Sequence, residues 1–391
     1  ILLIGKFWKN IMRKTLLLIF VTFLYSPFIY AKDLYFAGFS FLGNADQDFR
    51  YPVAVNLFDT NNTVFKNPLD TALKKLNRND ITLIYDLGKI SSGEALAISF
   101  ALTDEVVERF STKDGVTNAY KIFAQILVFD FNEKKVITNF PVLVQNETIT
   151  SNIPSSEYDF EIFQKMYLDT NFAGSIFNQW VKKLQDVKIL NSSTLHLQLR
   201  NVELDSAVLN QIPNSLKNKN LLKVRSAQKL EYHISSKQNV PILPFTIGQI
   251  GNFKKGLIAR FSDGIEYDLT LPDADFVVDM LVREFKNADV EKEKFVVKIF
   301  GAFITLKVLE PLSEKVYLDS KFNFKNELVI PKSENFKILD IWDVYQRTQD
   351  ALFSKLSKQI SLRDDELKEI TKTKNIKKQL TNFEEVIKKC K

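Results

Sequence analysis

Cysteine occurs once, at Cys390. No intrachain disulfide can therefore staple the chain, and its stability has to come from packing. The lone thiol reads as incidental rather than as an intermolecular crosslink. Histidine occurs twice, at His196 and His233, with no CxxC or HExxH beside either; a His- or Cys-rich zinc site is excluded. His233, in the alternating stretch KLEYHIS, reads as a hydrogen-bonded or exposed strand residue. Glycine (12) and proline (11) are scarce in 391 residues, which rules out collagen-like repeats and a loop-dominated scaffold. No GxSxG elbow marks a nucleophilic serine. Two GxxxxG spacings, Gly88 to Gly93 and Gly251 to Gly256, are followed by Glu94 and Leu257. They lack the Lys and Ser/Thr that reach phosphates and magnesium, so neither is a nucleotide loop. No cofactor and no metal are expected, and no complete catalytic set is present.

Apolar bulk is there in quantity. Hydrophobic residues make up 45% of the chain, and 33 Phe against 3 Trp supply most of the core volume. Two or three cores can be built from that. The segment from Met12 to Ala31 has Arg13 and Lys14, an apolar run from Leu16 to Tyr25, a break at Ser26-Pro27, and Ile29 and Ala31 at the −3 and −1 positions of a cleavage site. This is the three-part pattern of an export signal over residues 1–31, with Met12 expected as the true start. An N-terminal anchor is the rival reading, but the run is shorter than the roughly 20 residues a spanning helix needs.

The charge balance argues against nucleic acid. The formal net charge is +6, yet residues 1–31 hold four bases and no acid, leaving 49 basic against 47 acidic side chains. The tail, 361–391, has nine bases and six acids, so the body between is close to neutral. A sequence pI near 9.0 belongs to the two ends, and no phosphate-binding field is expected.

The chain also repeats itself. Residues 93–108 lie over 264–279 without a gap, and 121–136 over 298–316, at offsets of about 170–180. Lys121–Phe131 suits a strand covered on both faces, turning at Asn132–Lys135 and returning through Val136–Val144. Phe295–Val308 and Val316–Phe324 play the same parts. Asn67, Pro68 and Asp70 predict a short helix start. Aromatic stripes from Ile162 to Leu184 and from Ile338 to Ile360 predict a helix laid on the sheet in each unit.

The fold class expected is α+β: two tandem, duplicated modules, each a mainly antiparallel sheet with packed helices, plus a C-terminal charged helical tail. The divisions are 32–190, a connecting region over 191–239 with a junction at Asn191-Ser192-Ser193, a second module over 240–360, and the tail over 361–391. In the tail, Ile376, Leu380, Phe383 and Ile387 form a helical seam. It is read as a partner-binding face, as packing on its own module, or as a basic membrane-surface helix. An acidic cluster, Asp263, Glu266, Asp268, Asp273, Asp275 and Asp279, reads as the solvated face of a strand rather than a cation site. Asp104 and Asp275, each before a Val pair, are expected as helix caps.

Function follows by export, repetition and the missing chemistry. The leading expectation is a non-enzymatic, exported envelope protein, periplasmic or extracellular, that serves as an assembly or adaptor component for other envelope proteins. Peripheral membrane contact through the tail belongs to the same reading. The alternative is a small-ligand or polysaccharide-binding protein using the cleft between modules.

Overall fold

The computed structural model describes residues 31–43, 45–86, 88, 95–112, 115–189, 194–213, 218–247, 256–332 and 341–391. The export-signal segment, the junction at 191–193 and most of both GxxxxG loops lie outside these residues. The class is α+β, with two sheets and a helical C-terminal region.

The first half begins with β1 (Lys32–Leu42), a 3-10 turn (Ala45–Arg50), and helices α1 (Pro52–Thr60) and α2 (Lys66–Leu73). Next come β2 (Ile81–Ile84) and a long meander, β3 (Leu96–Thr112), β4 (Gly115–Asp130) and β5 (Lys135–Thr150). Helices α3 (Ser156–Leu168) and α4 (Ile176–Asp186) close it. The second half repeats the plan. It runs β6 (Leu197–Leu204), α5 (Ser206–Leu209), α6 (Lys219–Gln238), β7 (Gly256–Phe261), β8 (Glu266–Thr270), then the meander β9 (Phe276–Glu291), β10 (Phe295–Glu310) and β11 (Lys315–Pro331). Helices α7 (Ile341–Leu362), α8 (Leu367–Ile370) and α9 (Ile376–Lys389) finish the chain.

Both sheets place the meander antiparallel and set the opening strand parallel to its first strand, β1 beside β3 and β6 beside β9. The meander strands recur at a spacing of 180 residues, and so do their bulges. Thr103 is the extra residue between the pairs Leu102–Ala124 and Asp104–Phe123, and Arg283 between Val282–Ile304 and Glu284–Phe303. Ile137 and Tyr317 are the extra residues of the second hairpins. Bulges fix strand register and twist, so this agreement is the geometry a duplication would leave. The overlay of 93–108 on 264–279 uses the wrong offset: it sets β3 against a hairpin strand, β8, and only the first residues of β9. Common residue types produced that match.

The first sheet has the order β2-β1-β3-β4-β5-β8-β7, with β7 returning to pair β1 through Ser40–Phe261 to Leu42–Ala259. The second sheet is β11-β10-β9-β6. On one face of the first sheet Tyr120, Ile122, Ala124, Ile126 and Val128 meet α1 to α4. Phe39 stacks on Phe65 at 4.4 Å and Phe100 packs on Phe177 at 4.8 Å, which is where much of the phenylalanine goes. On the other face Leu127 and Phe129 are covered by Ala259, Phe261 and Leu269 of the β7–β8 hairpin. Further along that face lie α6 and α7, whose opposite sides pack on the second sheet through Leu222, Leu230, Ile234, Leu352 and Phe353. Helices, first sheet, helices and second sheet are thus stacked in turn.

Three expectations need correcting. Over 191–239 the chain is not a connecting stretch but contains β6 and the 20-residue α6. That helix buries polar residues on one side, so no apolar period survives in the sequence. The aromatic stripe from 162 to 184 is two helices, parted at Asp169–Ser175, where turn residues cluster. Asp104 lies within β3 and Asp275 just before β9; neither caps a helix, since the Val pairs that follow favour the pleated strand.

Candidate functional site

The two halves meet across charge. On α6, Arg225, Lys229 and His233 follow at intervals of four and so share one stripe. Arg225 holds Asp104 of β3 in a fork, Nε to Oδ2 at 2.9 Å and Nη2 to Oδ1 at 3.1 Å. Lys229 Nζ donates to Glu108 Oε1 at 2.8 Å, and Lys121 Nζ of β4 donates to Glu108 Oε2 at 2.7 Å. Lys121 also reaches Asp350 of α7 at 3.4 Å, and His233 Nε2 lies 2.9 Å from the other Asp350 oxygen. Three carboxylates thus face three fixed cations and one imidazole. Asp104, Glu108, Lys121 and Lys229 are all buried.

Burial alone would raise the Glu108 carboxyl, but Lys229 and Lys121 outweigh it and hold the group below its ordinary value. Asp350 is held low against the same opposition by His233 and the two lysines. Lys121 is held above its ordinary value by Glu108 and Asp350, again against burial. A network of this kind adds little net stability compared with apolar packing, because desolvating each charge offsets its attraction. It joins β3 and β4 of the first half to α6 and α7 of the second. His233 was expected on a strand; it is a helical member of this network instead.

Beside the network the cleft opens into a cavity of about 220 Å³. Its walls come from both halves: Arg50 of the 3-10 turn, the bulge residue Thr103, Gln125 of β4, and Gln228 and Glu231 of α6. Arg50, Gln125, Gln228 and Glu231 are at most 9% exposed. Arg50 Nη1 donates to Gln47 Oε1 at 3.1 Å, whereas its Nε has no partner. Oε1 of Gln125 and Oε1 of Gln228 have none either. Glu231 accepts from the Phe245 N–H at 2.8 Å, and burial pushes its carboxyl well above the usual range.

The residues singled out in the sequence lie elsewhere. Leu380, Phe383 and Ile387 of the tail are buried against the second sheet and α7, and Ile376 packs beside them. Their seam is therefore covered by the chain itself. The tail also guards the edge of β11. Gln379 Oε1 accepts from the Asp319 N–H at 2.9 Å, and Thr371 Oγ1 donates to the Lys321 carbonyl at 2.7 Å. The acidic cluster is dispersed: Asp279 pairs with Arg200, Asp275 accepts from the His196 N–H, and Asp263 from that of Ile265. Among the described residues no group of three or more His, Cys, Asp or Glu could hold a metal ion. Cys390 is buried, which pushes its thiol up to about 12. Among the described residues no helix is long and apolar enough to cross a membrane.

A second feature is a surface. The outer face of the second sheet is polar along most of its length, but its far end carries a row of directly paired valines, Val290, Val297 and Val329. Val329 is 59% exposed and Val290 37%, with Phe295, also 37% exposed, beside them.

No family model matches the chain, and no curated protein matches it. Solved structures resemble part of it. A minor lipoprotein from Acinetobacter baumannii has a TM-score of 0.22 at 11% identity, covering 40% of this chain and 89% of its own. A DUF330 protein from Xanthomonas campestris has 0.23 at 10%, covering 44% and 88%. A homologue of a neuraminyllactose-binding hemagglutinin from Helicobacter pylori has 0.23 at 14%, covering 47% and 97%. Likeness at that level carries no functional inference.

Proposed function

We propose that this chain is an exported envelope protein that works by binding, as an assembly or adaptor component contacting other envelope proteins, with no chemistry of its own. The segment 12–31 supports export. The observation that carries the contact is the valine row of the second sheet. In the first sheet the corresponding row is Phe110, Thr117 and Ile149; there Phe110 lies 3.9 Å beneath the Arg347 guanidinium of α7, while Ile149 at the other end is 61% exposed. In the second sheet no helix of the described residues lies over the row. A contiguous exposed apolar patch rimmed by charge is the usual mark of a protein contact. The tail is not the contact in this reading, because its seam is already occupied.

The test is a photo-crosslinking amino acid placed in cells at Val329 and, as control on the same sheet face, at Lys307. Adducts to one discrete envelope protein from position 329 only, abolished by Val290→Asp, are expected. Equal labelling from both positions would overturn the reading.

A further inference from the structure

We propose that the cavity between the halves is a binding site for a small organic carboxylate that also carries N–H or O–H donors, of the size and chemistry of an amino acid or a hydroxy acid. The proposal goes beyond the adaptor reading and stands or falls without it.

Three observations carry it. First, Arg50 is a buried guanidinium, 9% exposed, and forms no ion pair among the described residues. Asp104, a carboxylate that acts on its charge, is already held in a fork by Arg225. A buried cation with no carboxylate paired to it among the described residues is costly, and a carboxylate matches the planar fork of a guanidinium. Second, Gln125 and Gln228 line the same cavity, and each has a buried carbonyl oxygen that meets no donor among the described residues. Buried side-chain acceptors are nearly always satisfied, and these two ask for N–H or O–H groups. Reversing either amide would turn the demand from donors to acceptors, which a hydroxyl also meets. Third, Glu231 lines the wall with one oxygen bonded to the Phe245 N–H. A carboxyl there disfavours a dianion and suits an ammonium or hydroxyl. About 220 Å³ lies below the roughly 300 Å³ at which drug-sized pockets begin, so the ligand is small.

The walls also explain why the site lies where it does. Thr103 enters because of the bulge in β3, and its hydroxyl donates to the Phe123 carbonyl at 2.9 Å, leaving no donor for the cavity. Arg50 comes from the first half and Gln228 from the second. Occupancy would therefore tie the halves together beside the ion network.

The experiment uses the full purified chain at pH 7, titrated calorimetrically and by thermal shift with the twenty amino acids, lactate and glycerate. Acetate serves as the donor-free probe, and glycerol and glucose as the uncharged ones. At least one amino acid or hydroxy acid is expected to bind with a Kd below about 1 mM and to raise the melting temperature. Acetate, glycerol and glucose should bind at least about tenfold more weakly. Arg50→Gln should weaken that binding by about 10- to 100-fold, the range for losing a charge-assisted hydrogen bond. Gln228→Leu, which keeps the volume and leaves Arg50 in place, should weaken it by about tenfold and serves if the Arg50 variant does not fold. If no acid binds at 10 mM, the cavity holds only water and the proposal fails. If glucose or glycerol binds as well as the acids, or if Gln228→Leu binds like the parent, it also fails.

Discussion

Leu127 and Lys307 hold the same place in their two sheets, 180 residues apart on the middle strand of each meander, yet Leu127 is fully buried and Lys307 is exposed. The difference lies in what covers the sheet rather than in the sheet. In β4 every residue from Val116 to Asp130 is buried, because α1 to α4 take one face and the β7–β8 hairpin with α6 and α7 the other. In β10 burial alternates over Ile304–Val308, and the outer face keeps Thr305 and Lys307. An antiparallel sheet tolerates water on one face only if that face is polar. A shared strand plan therefore fixes the backbone, and the layer outside it decides the side chains. The same rule runs along the row: Lys121, locked between Glu108 and Asp350, corresponds to Gly301, and Glu108 to the exposed Ala288.

The sharpest way to break this comparison is to exchange the covered pair. Leu127→Lys puts a charge among Phe129, Ala101 and Phe261 with no carboxylate in that cluster. A loss of at least about 5 kcal/mol, enough to prevent folding at 37 °C, is expected. Lys307→Leu should stay within about 0.5 kcal/mol, as solvent-facing changes do. Urea unfolding followed by circular dichroism reads both. If the two substitutions cost the same, the outer layer does not set the difference.

Next in size is the ion network. Glu108→Ala would leave Lys121 and Lys229 sharing only Asp350 and neutral partners in a buried interface, at a cost of about 3–5 kcal/mol. Ala288→Glu, the reverse change at the matching position of the second sheet, should be neutral within about 0.5 kcal/mol. Removing the charges together, as Glu108→Leu with Lys121→Met and Lys229→Met, should recover most of the loss, because the desolvation they demanded goes with them. Were the triple variant as unstable as Glu108→Ala, the network would be a net stabiliser.

What could be read in the residues, and what could not, divides along the same line. β4 was legible as a strand covered on both faces because its apolar run is unbroken from Ile126 to Phe129. The hairpins and their turns were legible by alternation, and the α7 stripe by three-to-four spacing. α6 was not, because Leu222, Leu230 and Ile234 on one side are matched by Arg225, Lys229 and His233 on the other, and both sides are covered. Its intervals of four cationic residues were the one available signal, and burial of such residues is rare enough to read them as solvated. The cavity was illegible for another reason. Its walls, Arg50, Gln125 and Gln228, are scattered over 178 positions and carry no motif; only the pairing of β1 with β7 and the docking of α6 bring them together.

The smallest of the three effects tests the covered face of β3. Glu105 holds the position that Phe285 holds in β9, and where Phe285 stacks on Tyr345 at 5.0 Å, Glu105 closes the start of α1. Its oxygens accept from the Val53 and Ala54 N–H groups at 2.9 Å each and from the Tyr167 hydroxyl at 2.7 Å. Burial nonetheless pushes the carboxyl from its ordinary 4.5 up to about 7. The folded chain thus keeps a proton that the unfolded chain releases near pH 4.5. Stability from this group is fully present below pH 4.5 and is lost as pH rises through about 7, by about 3 kcal/mol in all. Glu105→Gln cannot titrate. It loses one acceptor at the helix start and is less stable at low pH, but its stability should not fall across that window through this position. Urea midpoints measured at pH 5, 6, 7 and 8 should therefore converge between parent and variant as pH rises. Parallel curves would mean that the three donors keep Glu105 ionised throughout, and that the covered face of β3 screens its carboxyl better than its burial implies.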